Sequence, residues 1–127
     1  MEDRFLFRIW DKDRKKMFNC IQINFTENAH GSNSLKDNES SIHLMYQPHL
    51  ILMQSTGLKD KNGKLIFEGD ILFYKIGSNK CREVVTWNQQ RCGWIKGYQD
   101  LCTYQKHCEV IGNIYENANL LEEKCLN

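Results

Sequence analysis

The segment Leu52–Ile71 constrains the fold more than any other part of this chain. It contains a tight turn at Asp60-Lys-Asn-Gly63 and a second at Glu68-Gly-Asp70, with short apolar stretches between and after them. Asn and Gly tolerate the positive φ that a hairpin turn requires. Leu65 and Phe67 lie two residues apart, as apolar residues on one face of a strand do. This spacing is typical of a small antiparallel β domain.

Short strands and turns continue on both sides of this segment. Residues 4–10 and 17–25 predict a hairpin around the polar turn at 11–16, because both stretches hold bulky apolar residues. The remaining predicted elements are strands at 42–46, 50–53, 65–67, 71–75, 82–87, 94–98, 101–104 and 109–115, and a helix that Asn117 caps. We expect a mainly β fold, a small antiparallel β-barrel-like domain with an N-terminal hairpin and a short C-terminal helix.

A chain of 127 residues predicts a single domain. Within residues 1–127 we expect an N-terminal hairpin subdomain at 1–25 and a main β body at 42–127. Residues 26–41 between them are rich in Asn, Ser, Gly and charged residues and contain few large apolar side chains. Such a composition is typical of a mobile loop.

Composition places the chain among soluble globular proteins. Its hydrophobic content of 41% and net charge of +1 are ordinary for that class. The longest apolar runs have four residues, too few to span a membrane. The first residues lack the apolar core of a signal peptide. We therefore expect a cytoplasmic protein with no membrane partner.

Six cysteines stand at positions 20, 81, 92, 102, 108 and 125. In a cytoplasmic protein they are expected to be reduced, buried and unreactive. Structural zinc sites favour ligands two to four residues apart. The nearest set here is more widely spaced and consists of Cys92, Cys102, His107 and Cys108. We predict no metal and no cofactor, with zinc at this set as the alternative.

The glycine turns and the polar residues beside them form one motif. Its members are Gly57, Asp60, Asn62, Gly63, Glu68, Gly69 and Asp70. Asp is favoured in turns because its carboxylate accepts hydrogen bonds from nearby backbone N–H groups. The pattern therefore predicts a structural turn motif. The alternative is that Asp60, Glu68 and Asp70 converge to run acid–base chemistry or to hold a divalent ion.

Aromatic and cationic residues are interleaved in the predicted hairpin at 82–98. The set consists of Arg82, Trp87, Arg91, Trp94, Lys96 and Tyr98. Aromatic faces stack on bases and cations track phosphates, so this hairpin is a candidate surface for nucleic acid or for another partner. The alternative is that the aromatic side chains belong to the core and the charges are solvated, since Trp87 shares a strand face with Val85.

The sequence contains no evident catalytic constellation. It has no Gly-x-Ser-x-Gly elbow and no phosphate-binding glycine loop. The histidines are scattered, and a pair such as Cys108 with His43 depends on the fold to bring its members together. We predict that the protein is not an enzyme. The alternative is a small enzyme that uses this pair or the acidic cluster.

Four segments of the chain together resemble the YopX family of phage and prophage proteins. They occur in the family's order and are Phe7–Met17, Leu52–Ile71, Val84–Trp87 and Val110–Asn117. The resemblance implies a mostly β protein encoded in a bacterial mobile element. It implies no reaction, substrate or catalytic set.

The resemblance and the lack of a catalytic constellation lead to one preferred function. We expect a non-enzymatic phage or prophage accessory protein that binds a host or phage protein in the bacterial cytoplasm, where it modulates host processes or defence. The alternative is a nucleic-acid-binding module that uses the hairpin at 82–98. A homo-oligomer is a further hypothesis, because edge strands of small β proteins pair readily.

Overall fold

The computed structural model of the chain describes residues 5–24, 34–37, 42–44 and 49–122. The chain forms two compact units. Leu6–Gln54 forms the N-terminal unit, and Ser55–Asn127 with Met1–Phe5 forms the C-terminal unit. In the part of the chain that the structure describes, no helix is long and apolar enough to cross a membrane.

Short strands make up most of the described chain. They are β1 (Phe7–Asp11), β2 (Lys16–Asn24), β3 (Ser34–Asp37), β4 (Ile42–Leu44), β5 (Leu50–Lys59), β6 (Leu65–Phe67), β7 (Asp70–Ile76), β8 (Asn79–Asn88), β9 (Gly93–Lys96), β10 (Gln99–Asp100) and β11 (Glu109–Asn113). The helix α1 (Leu101–Tyr104) follows β10, and two 3₁₀ turns lie at Gln105–His107 and Ala118–Glu122.

The strands of the N-terminal unit pair in antiparallel fashion, in the order β4-β3-β2-β1-β5. Ile9 of β1 lies opposite Phe18 of β2 on one side and Leu52 of β5 on the other. Ile9 and Leu50 form the buried centre of this unit. Strand β5 contributes its first half to this arrangement and its second half, from Ser55, to the C-terminal unit, where it pairs with β6.

The carboxylate of Asp11 fixes the turn between β1 and β2. Its Oδ1 accepts the backbone N–H groups of Asp13 at 2.9 Å and Arg14 at 3.0 Å. Arg14 also donates its Nε to Oδ2 at 2.8 Å, and its guanidinium lies 4.4 Å from the ring centroid of Phe18. The charged run after β1 is therefore organised as a capped turn.

The C-terminal unit is built on an antiparallel sheet in the order β10-β9-β8-β7-β11. Its core cluster is fully buried and consists of Ile66, Leu72, Val85, Leu101 and Cys108. Leu72 and Val85 come from the neighbouring strands β7 and β8, and Leu101 begins α1. The core thus joins the sheet to the helical segment that follows β10.

The expected mainly β, antiparallel fold is confirmed, and its sheets are open rather than closed into a barrel. The strand predicted at 101–104 is wrong, because Leu101 alone enters the core while the next three residues are exposed, as in a short helix. Ser34–Asp37 is a strand within the loop predicted at 26–41, since it pairs with β2. Residues 26–33 and 38–41 lie outside the described residues.

Candidate functional site

Asp60, at the first turn of the central motif, is buried and accepts three backbone hydrogen bonds. Its Oδ1 accepts from Asn62 and Lys64 and its Oδ2 accepts from Val110, each at 2.9 Å. Burial by itself would raise the pKa of Asp60, but these hydrogen bonds outweigh it and hold the pKa below its ordinary value. Because Val110 lies in β11, the carboxylate links the turn to a strand 50 residues away.

The rest of the motif is held by similar local bonds. Asp70 Oδ2 accepts the N–H of Phe67 at 2.7 Å. Thr56 Oγ1 accepts the N–H of Leu58 at 3.1 Å and donates to the carbonyl of Ile66 at 2.8 Å. Positive φ angles occur at Gly57, Gly63 and Gly69. Among the described residues, the predicted trio Asp60, Glu68 and Asp70 does not form a cluster of metal-ligand geometry.

One group in the described chain has three side chains that could hold a metal ion. Asp11, Asp13 and His49 offer ligand atoms within 4.8 Å of one another. Both oxygens of Asp11 already accept hydrogen bonds, from the backbone of Asp13 and Arg14 and from the Arg14 side chain. His49 Nδ1 lies 3.9 Å from Asp13 Oδ2. The arrangement is that of a capped turn with a histidine side chain beside it.

The cysteines differ from one another in solvent exposure and in oxidation state. Cys92 and Cys102 are exposed free thiols and Cys108 is buried, and within the described residues these three and His107 do not converge as zinc ligands. Cys81 forms a disulfide. This corrects the expectation that all six cysteines are reduced, because sequence spacing does not show which Cβ atoms approach closely enough to bond.

The histidine and cysteine of the imagined catalytic pair belong to different units. His43 lies in β4 of the N-terminal unit, and Cys108 lies in the C-terminal unit. The Sγ of Cys108 donates to the carbonyl of Tyr104 at 3.3 Å. Burial raises the pKa of the Cys108 thiol. The thiol is therefore neutral at pH 7, whereas a nucleophilic cysteine needs the thiolate.

Two tryptophans face each other on the hairpin formed by β8 and β9. Trp87 and Trp94 are register partners, with ring centroids 5.2 Å apart and planes at 73°, an edge-to-face pair. Trp94 also packs against the core cluster. Trp87 is 44% exposed and donates its Nε1 to Gln89 Oε1 at 2.8 Å. The pair is therefore anchored on the Trp94 side and open on the Trp87 side.

Arg91 and Tyr98 are also brought together on this hairpin. Arg91 Nη1 donates to the carbonyl of Tyr98 at 2.9 Å, and its Nε lies 3.2 Å from Asp100 Oδ1. The Tyr98 side chain is 95% exposed. We call the set Trp87, Arg91, Trp94 and Tyr98 the hairpin tip. Arg82, the first cation of the predicted set, instead lies with its guanidinium 5.6 Å from the ring centroid of Phe73.

Lys96, the last cation of the predicted set, points into the protein. It is 2% exposed, and its Nζ donates to Gln99 Oε1. The Nζ lies 3.6 Å from the ring centroid of Tyr74 and 5.1 Å from that of Tyr104. Burial lowers the pKa of Lys96, against the opposing effects of Cys108 and Glu83. Lys96 is therefore a buried cation and not part of the surface that the sequence predicted.

Lys96 lines a cavity of about 380 Å³ in the C-terminal unit, which we call the Lys96 cavity. Its other lining residues are Tyr74, Lys75, Ile76, Gln99, Tyr104, His107 and Cys108. The sequence indicates Lys96 only as a surface cation and does not predict this set, because its members come from separate segments of the chain. The available signal was that Lys96 shares its strand face with Trp94, at the border of an apolar core.

Comparison with known proteins places the chain in a family. The family model described as YopX protein matches residues 6–122. The crystal structure of protein EF1440 from Enterococcus faecalis is similar to this chain, with 30% sequence identity and a TM-score of 0.65. That similarity covers 91% of this chain and 96% of the other. No curated protein matches the chain. The match over 6–122 confirms the resemblance read from the sequence, and the chain belongs to the YopX family.

Proposed function

We propose that this protein is a non-enzymatic accessory protein that binds another protein through the hairpin tip. The observation that carries the proposal is that the tip exposes aromatic rings while its arginine is already paired with neighbouring groups of the same chain. Trp87 is 44% and Tyr98 95% exposed, and Arg91 is fixed by the Tyr98 carbonyl and Asp100. Binding energy at protein interfaces is concentrated on Trp, Tyr and Arg side chains.

The same geometry favours a protein partner over nucleic acid. A nucleic-acid surface uses cations to neutralise phosphates. In this hairpin Lys96 is 2% exposed, and Arg91 already has Asp100 as its counter-ion. The tip therefore exposes two aromatic rings beside an arginine whose charge is already paired with Asp100. We expect a folded partner that offers an apolar pocket to the rings and a hydrogen-bond acceptor to the Tyr98 hydroxyl.

The family resemblance supports a phage or prophage setting, with a host or phage protein as the partner in the bacterial cytoplasm. Occupying a surface of that partner is the simplest way for a small protein without catalytic machinery to modulate a host process or host defence. The Lys96 cavity is not needed for this role.

Capture followed by titration tests the proposal. Tagged wild-type protein and a Trp87→Ala/Tyr98→Ala variant are each incubated with bacterial lysate, with and without nuclease. Captured proteins are identified by mass spectrometry, purified and titrated calorimetrically. One purified protein is expected to bind the wild type and to bind the double variant at least about tenfold more weakly, since two hot-spot side chains are lost.

Ile21→Ala is the matched control, because Ile21 is 59% exposed and lies in the N-terminal unit. Its removal is expected to leave the affinity unchanged. A purified partner that binds the double variant as tightly as the wild type would overturn the hairpin tip as the binding surface. Binding that vanishes with nuclease and weakens steeply with salt would establish the nucleic-acid alternative. Self-association that is lost in the double variant would make a second copy of the chain the occupant.

A further inference from the structure

The Lys96 cavity contains a buried cation that forms no direct ion pair among the described residues. None of the lining side chains is a carboxylate, and the Nζ of Lys96 has the neutral Gln99 as its acceptor. The rings of Tyr74 and Tyr104 supply the other contacts of the ammonium. Transferring an ammonium from water to a protein interior is unfavourable unless an anion or several acceptors replace the water. The site is therefore short of negative charge.

Charged groups next to the cavity do not supply that charge directly. The carboxylate of Glu83 raises the pKa values of Lys96 and Tyr74. Glu83 is not among the lining residues, however, and no ion pair joins it to Lys96. The negative charge of Asp60 helps to raise the pKa of Cys108, but the Asp60 carboxylate already accepts hydrogen bonds from three backbone N–H groups. The Cys108 thiol is neutral, because burial raises its pKa. It is therefore not a thiolate partner for the ammonium.

The lining residues nearer to solvent add positive charge. Lys75 is exposed and lines the cavity, and it lies directly opposite Lys80, which is also exposed. Like charges that face each other across two strands are mutually unfavourable. His107, also exposed, lines the cavity as well. A recess whose charged lining residues are all of one sign attracts ions of the other sign.

The remaining lining is apolar and suits a flat molecule. The rings of Tyr74 and Tyr104 and the side chain of Ile76 are the larger apolar groups among the lining residues. A volume of about 380 Å³ is within the range of small-molecule sites, which are mostly apolar with a few polar groups that orient the ligand. We propose that the Lys96 cavity binds a small organic carboxylate with an aromatic or similarly apolar body. In this site the carboxylate replaces the missing counter-ion of Lys96, and the tyrosine rings hold the body.

Calorimetric titration of the full chain with benzoate and with benzamide tests this proposal. The two probes share size and shape but differ in charge. We expect wild-type protein to bind benzoate at least about tenfold more tightly than benzamide, because a charge-assisted hydrogen bond is stronger than a neutral one. Lys96→Met is expected to remove this preference. Lys12→Met, which makes the same change in net charge in the N-terminal unit, is the control and keeps it.

A second variant keeps the test sharp if Lys96→Met is poorly folded. Gln99→Glu places a carboxylate where the amide now accepts from Lys96. The built-in anion is expected to occupy the ammonium and to weaken benzoate binding about tenfold or more without unfolding the protein. Equal affinity for benzoate and benzamide, no benzoate binding, or unchanged benzoate binding in both variants would overturn the proposal.

Discussion

The ideal Cβ position on Gly112 lies 2.5 Å from the Oδ1 atom of Asn117. That oxygen also accepts the backbone N–H of Asn113 at 3.2 Å, so the Asn117 side chain is not free to turn away. Asn113 in turn accepts the N–H groups of Tyr115 and Glu116 at its Oδ1. The segment Val110–Asn117 is one of those that carry the family resemblance. It forms a compact turn that leaves no room for a side chain at Gly112, the next-to-last residue of β11.

Gly112→Ala is expected to lower the free energy of unfolding by about 1–3 kcal/mol, because an added methyl group must displace a hydrogen-bonded side chain. Urea unfolding followed by circular dichroism measures this. Gly93→Ala is the control, since its nearest neighbour would be the Arg91 carbonyl oxygen at 3.7 Å, an ordinary contact. Its effect is expected to stay within about 0.5 kcal/mol. Equal effects of the two substitutions would contradict the close approach of Gly112 and Asn117.

The lowered pKa of Asp60 predicts a loss of stability in acid. Its ordinary value is 3.8, and the native state holds it lower. The unfolded chain therefore takes up a proton first as the pH falls. The contribution of Asp60 is fully present above that ordinary value and is lost as the pH falls through the lowered native pKa. Asp11, whose pKa is also lowered in the native state, contributes in the same direction.

Asp60→Asn tests the assignment, because the amide keeps one acceptor and loses the charge. The unfolding free energy of the variant is expected to be about 1–3 kcal/mol lower at neutral pH, and to fall less than that of the wild type between about pH 5 and pH 2. Asp13→Asn removes an exposed carboxylate and serves as the control. Parallel pH profiles for the wild type and Asp60→Asn would rule out Asp60 as the source of the acid sensitivity.

The two tryptophans of the edge-to-face pair are expected to differ in their contributions to stability. Trp94 packs against the core cluster, so Trp94→Ala is expected to lower the unfolding free energy by about 2–3 kcal/mol. Trp87 is 44% exposed, and Trp87→Ala is expected to lower it by about 1 kcal/mol, mainly through the lost ring contact. Chemical unfolding of the two variants measures both losses of unfolding free energy. A larger effect at Trp87 would contradict the placement of Trp94 on the core.

Three of the four free cysteines in the described chain are expected to differ in their reaction with iodoacetamide at neutral pH. Cys92 and Cys102 are exposed and should be modified in the folded protein. Cys108 is fully buried with a raised pKa, so its modification should wait for unfolding in denaturant. Peptide mass spectrometry after timed quenching separates the three sites. Rapid modification of Cys108 in the folded state would reopen the hypothesis of a reactive cysteine.

The sequence predicted those features that depend on local chemistry. A turn residue such as Asp60 bonds to Asn62 and Lys64, which are close in the chain, so its pattern is visible without the fold. Its bond to Val110 in β11 was not visible, because that strand reaches the turn only through tertiary structure. The sequence similarly predicted a strand that begins at Leu101. Only Leu101 enters the core and the next three residues are exposed, whereas buried and exposed residues would alternate in a strand.

The Lys96 cavity could not be predicted from the sequence, because it too is formed by tertiary structure. In the sequence, Lys96 is a basic residue beside aromatic neighbours. A pattern of charged residues does not show which of them are buried. Tyr74 and Tyr104, whose rings enclose its ammonium, are 22 and 8 residues away in the chain. The register of β8 with β9 places Lys96 opposite the fully buried Val85, and this pairing is what turns a predicted surface cation into an interior one.

Replacing Lys96 by methionine is expected to stabilise the protein. Removing a buried cation that forms no direct ion pair among the described residues should raise the unfolding free energy at pH 7 by about 1 kcal/mol or more. Burial lowers the pKa of Lys96 below its ordinary 10.5, so the unfolded chain binds more protons between the lowered value and 10.5. Wild-type stability therefore gains from Lys96 deprotonation over that window, and the advantage of Lys96→Met should shrink as the pH approaches 10.5.

Urea unfolding of the wild type, Lys96→Met and Lys12→Met from pH 7 to pH 10.5 measures this advantage as a difference. The difference is needed because Cys108 and Tyr74, whose pKa values are raised, lower the stability of both proteins as the pH rises. Lys12→Met should stay within about 0.5 kcal/mol of the wild type throughout. If Lys96→Met were instead destabilised at pH 7, the ammonium would have to be satisfied by Gln99 and the two tyrosine rings alone. The Lys96 ammonium would then need no anion in the cavity.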